Sequence, residues 1–430
     1  MTSLSRFRVL SIAVCAALLL AVPAAAAKPA AKPVAPPAPP LVVNDECLSC
    51  HGDKTAKDDS GRSIAVDPER FKGSVHGEMK LDCTDCHTDV SAAKLPHEEK
   101  LKPANCTGCH EKEVGEYATT VHGKARANGK SFAASCADCH GTHDIHRSKE
   151  PTSPTNHLNL EATCSKCHGN DDMVEKAHLP GGNIGRMYHD SVHGKVLASR
   201  LLASKGPECT DCHGAHDIRA KSDPQSHVSR ARVPETCGKC HDDILAIYAG
   251  GQHGKLQQKG SSAAPGCNDC HSAHEIQRHN VPKFQLQVIK ECGNCHEDYI
   301  ATYRDTFHGK VTNLGFTAVA TCASCHGAHE MLPASNPASK VSAANRLKTC
   351  QACHADASAN FATWDPHADK HNAKRNPFYY YTAFFMKILL IGVFAFFGVH
   401  TVLWFYRSHR ARPRGAGSHR AGRPDEGKKQ

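Results

Sequence analysis

The pattern Cys-x-x-Cys-His occurs eleven times along this chain of 430 residues and uses 22 of its 23 cysteines. It begins with CLSCH (Cys47, Cys50, His51), CTDCH (Cys83, Cys86, His87), CTGCH (Cys106, Cys109, His110) and CADCH (Cys136, Cys139, His140). It continues with CSKCH (Cys164, Cys167, His168), CTDCH (Cys209, Cys212, His213), CGKCH (Cys237, Cys240, His241) and CNDCH (Cys267, Cys270, His271). CGNCH (Cys292, Cys295, His296), CASCH (Cys322, Cys325, His326) and CQACH (Cys350, Cys353, His354) complete the series. A redox CxxC needs no histidine directly after it, and one or two copies suffice. Zinc sites pair CxxC units without setting a histidine against every second cysteine. Covalent attachment of haem c requires this layout, because two thiols add to the porphyrin vinyl groups and the adjacent histidine reaches the iron from one face. Eleven covalently attached haems c are therefore expected.

A bulky apolar cofactor also answers a shortage. Ile, Leu, Val and Phe are sparse outside the two ends of the chain. A core of side chains alone would be too thin to offset the ordering entropy of the polypeptide.

The ends are read separately. Arg6 and Arg8 precede VLSIAVCAALLLAV and then AVPAAAA, so residues 1–27 read as a secretory signal peptide cleaved near Ala27. An uncleaved anchor helix is the alternative, and the remaining cysteine, Cys15, lies inside this run. Residues 28–44 form an Ala/Pro-rich linker, and residues 45–372 carry the haem motifs. Residues 378–406 are long and apolar enough to span a bilayer. Lys387 is placed to snorkel, and Tyr379, Tyr380, Tyr381, Trp404 and Tyr406 mark the two interfaces. The tail 407–430 is basic, with Arg407, Arg410, Arg412, Arg414, Arg420, Arg423, Lys428 and Lys429, which marks its side as cytoplasmic. The expected location is the cytoplasmic (inner) membrane, single-pass, with the haem domain in the periplasm, where covalent haem attachment takes place.

The formal net charge of +9 resides in those ends. Between Lys28 and Pro377 the chain has 41 Lys and Arg against 41 Asp and Glu. No nucleic-acid partner is implied; a basic tail against an anionic inner leaflet explains the excess.

The motifs are organised in a repeat. An HG dipeptide precedes a motif five times, at His76, His122, His193, His253 and His308, and an aromatic stands five residues before each: Phe71, Tyr117, Tyr188, Tyr248 and Tyr303. Four motifs run on into a further histidine (His143, His216, His274 and His329) three residues after the motif histidine. That residue is too close to reach the far face of its own haem and is expected to project onto a neighbouring one. The repeat thus reads HG, a leading CxxCHGxH, then a trailing CxxCH. Five such modules and the lone Cys47 motif account for all eleven. The first module departs from the pattern. It reads CHTDV and lacks the extra histidine, with His97 the nearest substitute.

Motifs and repeat together resemble the periplasmic multihaem c-type cytochromes, over roughly Cys47 to His354. The resemblance implies a mostly α and irregular fold, with short helices around the haems and little β structure, plus the one C-terminal transmembrane helix. It also implies the motif histidines as proximal ligands and haems close enough to pass electrons by tunnelling. Eleven six-coordinate irons need eleven second ligands, and the exported part offers 18 further histidines. The five HG and four CHGxH histidines supply nine; His97 and either His367 or His371 complete the set. His146, His157, His227 and His279 are expected at the surface, and the five aromatics against porphyrin edges.

Iron with two imidazoles has both axial positions filled, which suits electron transfer rather than catalysis. The expected role is an electron carrier between a quinone-linked membrane partner and periplasmic or outer-membrane acceptors, with no catalytic residue. His400, inside the spanning segment, is a functional candidate. Its surroundings look like helices of multihaem cytochromes that work with a b-type cytochrome membrane subunit handling quinones; with one helix here, a partner would supply the remaining ligands. The alternative is a multihaem reductase of nitrite, hydroxylamine or a sulfur oxyanion. The best-known nitrite-reducing relatives carry a CxxCK motif at the catalytic site, and none occurs in this sequence. A haem-bearing filament subunit is a third reading, disfavoured by the C-terminal anchor.

Overall fold

The computed structural model describes residues 43–91, 93–98, 100–199 and 201–411. The stretch expected to be a signal peptide, nearly all of the expected linker, Cys15 and the basic tail beyond Ala411 lie outside the described residues. No strand is present among the described residues, only an isolated bridge between Lys57 and Ser63. The haem domain is a succession of short helices; the longest of them, Pro282–Gly293, has 12 residues.

Local chemistry sets these lengths. Each leading motif opens a helix. The residue before its first cysteine is the N-cap, and the acidic residue between the two cysteines caps it in return. Asp85, Asp138, Asp211 and Asp269 accept the N-cap N–H at 2.7, 2.7, 2.8 and 2.7 Å. In the last module Ser324 takes that place. Most of the other motifs lie where a helix ends, as in Val43–His51, Leu160–His168 and Arg346–Gln351.

The HG dipeptide sits in the first turn of another short helix, such as Val121–Ala127, capped in four modules by Ser74, Thr120, Ser191 or Thr306. The glycine is dictated by sterics. A Cβ on Gly77, Gly123, Gly194, Gly254 or Gly309 would fall 2.0–2.2 Å from the carbonyl oxygen of the aromatic six residues earlier. Only glycine lets the HG helix turn that tightly against the helix before it.

Apolar residues contribute little to the interior. Among the described residues only eight hydrophobic ones count as buried core: Ala133, Leu197, Val233, Ala264, Phe284, Ile289, Tyr303 and Ala357. The most deeply buried side chains are hydroxyls, including Ser74, Thr120, Ser153, Ser191, Ser226 and Ser339, which cap helices and tie loops. The polypeptide encloses no apolar core of its own.

The C-terminal helix runs Pro377–Ala411, 35 residues with a mean hydropathy of 2.2 over its most apolar window and none of that window buried. It is long and apolar enough to cross a membrane. It continues past Tyr406 into the first residues of the basic tail.

Candidate functional site

The motif cysteines form a continuous row in chain order. The first thiol of the lone motif meets the first thiol of the next, Cys47 against Cys83, and the same holds for Cys106 and Cys136, Cys164 and Cys209, Cys237 and Cys267, and Cys292 and Cys322. The second thiol of each leading motif faces the trailing motif after it: Cys86 toward Cys109, Cys139 toward Cys164, Cys212 toward Cys237, Cys270 toward Cys292, and Cys325 toward Cys350. Every consecutive pair of motifs therefore has a thiol close enough to feel its neighbour electrostatically. None of the 22 described cysteines is in a disulfide. Burial pushes the thiols of Cys139, Cys212 and Cys270 up to about 11, which keeps them protonated.

Each motif histidine also faces one other histidine. His51 lies opposite His97, His87 opposite His143, His110 opposite His76, and His140 opposite His216. His168 faces His122, His213 faces His274, His241 faces His193, and His271 faces His329. His296 faces His253, His326 faces His367, and His354 faces His308. The ring centroids are 5.8–6.3 Å apart throughout, while the angle between ring planes varies from 2° to 64°.

A constant distance with a free angle is informative. Ring stacking would restrain the planes, and a direct hydrogen bond would bring the centroids to roughly 5 Å. One metal atom between two imidazole nitrogens, at about 2 Å from each, gives roughly 6.3 Å between centroids and leaves each ring free to turn about the axis. The paired histidines fit a haem iron, which they would hold between them.

The protonation pattern agrees with this fit. Nδ1–H of His51 donates to the Ile64 carbonyl at 2.9 Å, and that of His97 to the Glu98 carbonyl at 2.8 Å, which leaves Nε2 with its lone pair. The Thr302 hydroxyl donates to the carbonyls of Asp298 and Tyr299 and so accepts from Nδ1–H of His367 at 3.0 Å. Burial, reinforced by the neighbouring His274, pushes His213 down to about 4. Burial likewise lowers His140, His168, His193 and His271. A neutral imidazole is the form that binds metal.

The pairing follows a rule. Each HG histidine faces the trailing motif of its own module. Each extra CHGxH histidine reaches back to the leading motif of the module before. The first module has no module before it, which accounts for its missing histidine; His97 instead faces His51 of the lone motif. The last leading motif has no module after it, and His367, from the stretch ahead of the membrane helix, stands in that place. His371 is exposed, as is the membrane-segment His400. The same boundaries carry a repeated backbone hydrogen bond. The residue before HG donates N–H to the next module: Val75 to Ile145, Val121 to Ile218, Val192 to Ile276, and Gln252 to Met331, at 2.9, 3.0, 2.9 and 2.7 Å.

Sequence reasoning missed two features. The first is the role of the module tyrosine hydroxyls, which donate to the carbonyl two residues before the leading motif: Tyr117 to Ala134 at 2.6 Å, Tyr248 to Pro265 at 2.7 Å, Tyr303 to Ala320 at 2.9 Å, and Tyr188 to Pro207. Their fixed distance ahead of the motif in three modules was the available signal. The second feature is the capping residue inside the leading motifs, visible as the D of CTDCH, CADCH and CNDCH. The isolated histidines are tied up locally. His146 pairs with Glu150 at 3.0 Å and His227 with Asp217 at 2.8 Å, while His157 reaches the Ala203 carbonyl at 3.3 Å.

Residues 202–246, which hold the Cys209 and Cys237 motifs, match a family described as the doubled CXXCH motif. No curated protein and no solved structure matches the chain. The doubled motif is a signature of covalent haem attachment, and the match over residues 202–246 supports a multihaem c-type cytochrome.

Proposed function

We propose that the protein is a membrane-anchored, undecahaem electron carrier, working between a quinone-linked membrane partner and periplasmic or outer-membrane acceptors. The carrying observation is the set of eleven histidine pairs at 5.8–6.3 Å, one for every motif histidine. Haem c, when bound, supplies reversible one-electron transfer at its iron. The chain's residues hold it there. Twenty-two cysteines would fasten the porphyrins, and His97, His143, His76, His216, His122, His274, His193, His329, His253, His367 and His308 would join the motif histidines in holding the irons. Two imidazoles at every motif would leave no place for a substrate, which favours a carrier over the reductase reading.

The unbroken row of thiols supports a single conducting order that follows the sequence. The C-terminal helix, apolar and unburied, supports anchoring beside the last module. The test is a pyridine haemochrome assay with iron analysis, alongside cryogenic EPR of the oxidised protein. Eleven haems per chain, all low-spin, is the expected result. A high-spin ferric signal from one haem equivalent would restore the reductase reading, and fewer than eleven haems would overturn the undecahaem assignment.

A further inference from the structure

The last module differs from its predecessors at two positions around its HG dipeptide, although the third module also exposes Leu201 and Leu202. Six residues after the HG histidine the earlier complete modules carry Asn128, Ser199 and Lys259, where the last carries Leu314. Directly before HG stand Val75, Val121, Val192 and Gln252, each bonded to a following module; Phe307 holds that position in the last, with no module beyond it, and is 75 % exposed. Leu314 is 88 % exposed, and Phe316 and Trp364 also face outward.

The same place is where the membrane helix departs. The stretch leading to Pro377 is fastened to the helix Glu297–Asp305 at three points. His367 Nδ1 meets Thr302 at 3.0 Å, Lys370 pairs with Asp305 at 2.7 Å, and the Arg375 guanidinium sits 5.9 Å above the Tyr299 ring. Phe307 follows Asp305 by two residues, and the spanning helix follows Arg375 by two. Phe307 thus lies close to the origin of a helix long and apolar enough to span a membrane, and Leu314 and Phe316 follow it on the same module.

From this we infer that Phe307, Leu314, Phe316 and Trp364 rest in the outer interfacial layer of the bilayer, so that the His308–His354 site lies at the lipid surface. Aromatic and aliphatic side chains favour that layer, whereas unpartnered exposure to water carries a hydrophobic cost. The inference rests on the anchoring reading above and adds that the haem domain lies down on the membrane at its last module instead of standing off on a tether.

The experiment uses the full chain, without partners, in nanodiscs of phosphatidylcholine and phosphatidylglycerol doped with a lipid carrying a photoactivatable diazirine near its headgroup. Adducts are mapped by mass spectrometry. Adducts in peptides containing 307–316 and 364, besides the spanning helix, are expected. The double variant Leu314→Asn/Phe316→Lys, which installs the residues of an earlier module, should lose the first set while keeping its haem complement and its helix adducts. Adducts confined to 377–411 would overturn the inference and leave anchoring intact. Absence of adducts from 377–411 as well would sink the anchoring reading together with it.

Discussion

The interior of the array and its two ends obey different rules. Inside, each leading motif faces a histidine lent by the following module, and the lending loop also accepts a backbone hydrogen bond across the same boundary. At the ends there is no neighbour to lend. The lone Cys47 motif faces His97, from a loop peculiar to the first module, and the last leading motif faces His367, from outside the repeat. The contrast teaches that the module is not self-sufficient. It is half of an interface, as in other repeat proteins whose stability resides in nearest-neighbour contacts and whose termini need special closing pieces.

The sharpest way to break this comparison is to remove one interior and one terminal ligand. His274→Ala should produce a high-spin ferric signal at one site and also loosen the boundary between the third and fourth modules, read as faster amide exchange at Val192 and Ile276. His367→Ala should produce the same high-spin signal with exchange changes confined to 297–305 and 365–376. Equal, purely local effects in both variants would mean that the modules are independent. His371→Ala, in the same terminal stretch, should leave the EPR spectrum unchanged.

A smaller effect tests the packing within a module. Gly194→Ala would place its Cβ 2.2 Å from the Tyr188 carbonyl oxygen. It should destabilise the holoprotein by about 1–3 kcal/mol or more, measured by thermal unfolding followed in the Soret band. The smallest expected effect concerns the tyrosine latch. Tyr248→Phe should cost about 1 kcal/mol in the same measurement, because the Pro265 carbonyl loses its donor. The first module carries Phe71 at that position and has no such bond to lose, so Phe71→Tyr should not stabilise.

Much of the site was legible because covalent haem attachment is local chemistry: five adjacent residues specify it, and spacing alone exposes the HG and CHGxH histidines. His97 was visible only as a leftover, and His367 could not be told from His371. Both are loop residues whose partners lie far along the chain, and no periodicity points to them. The hydroxyl role of the tyrosines was not legible, because it needs a carbonyl whose position is tertiary.

What the sequence by itself determined is therefore the number and spacing of the CxxCH motifs, the short helices around them and the apolar C-terminal helix. All of these follow from residues within a turn or two of one another. Only the tertiary structure decided which histidine meets which, why the first module can omit one, and that neighbouring motifs lie close in chain order. Those pairings join residues far apart in the chain, up to 76 positions for His140 and His216, and those of the CHGxH histidines are set by how one module seats on the next.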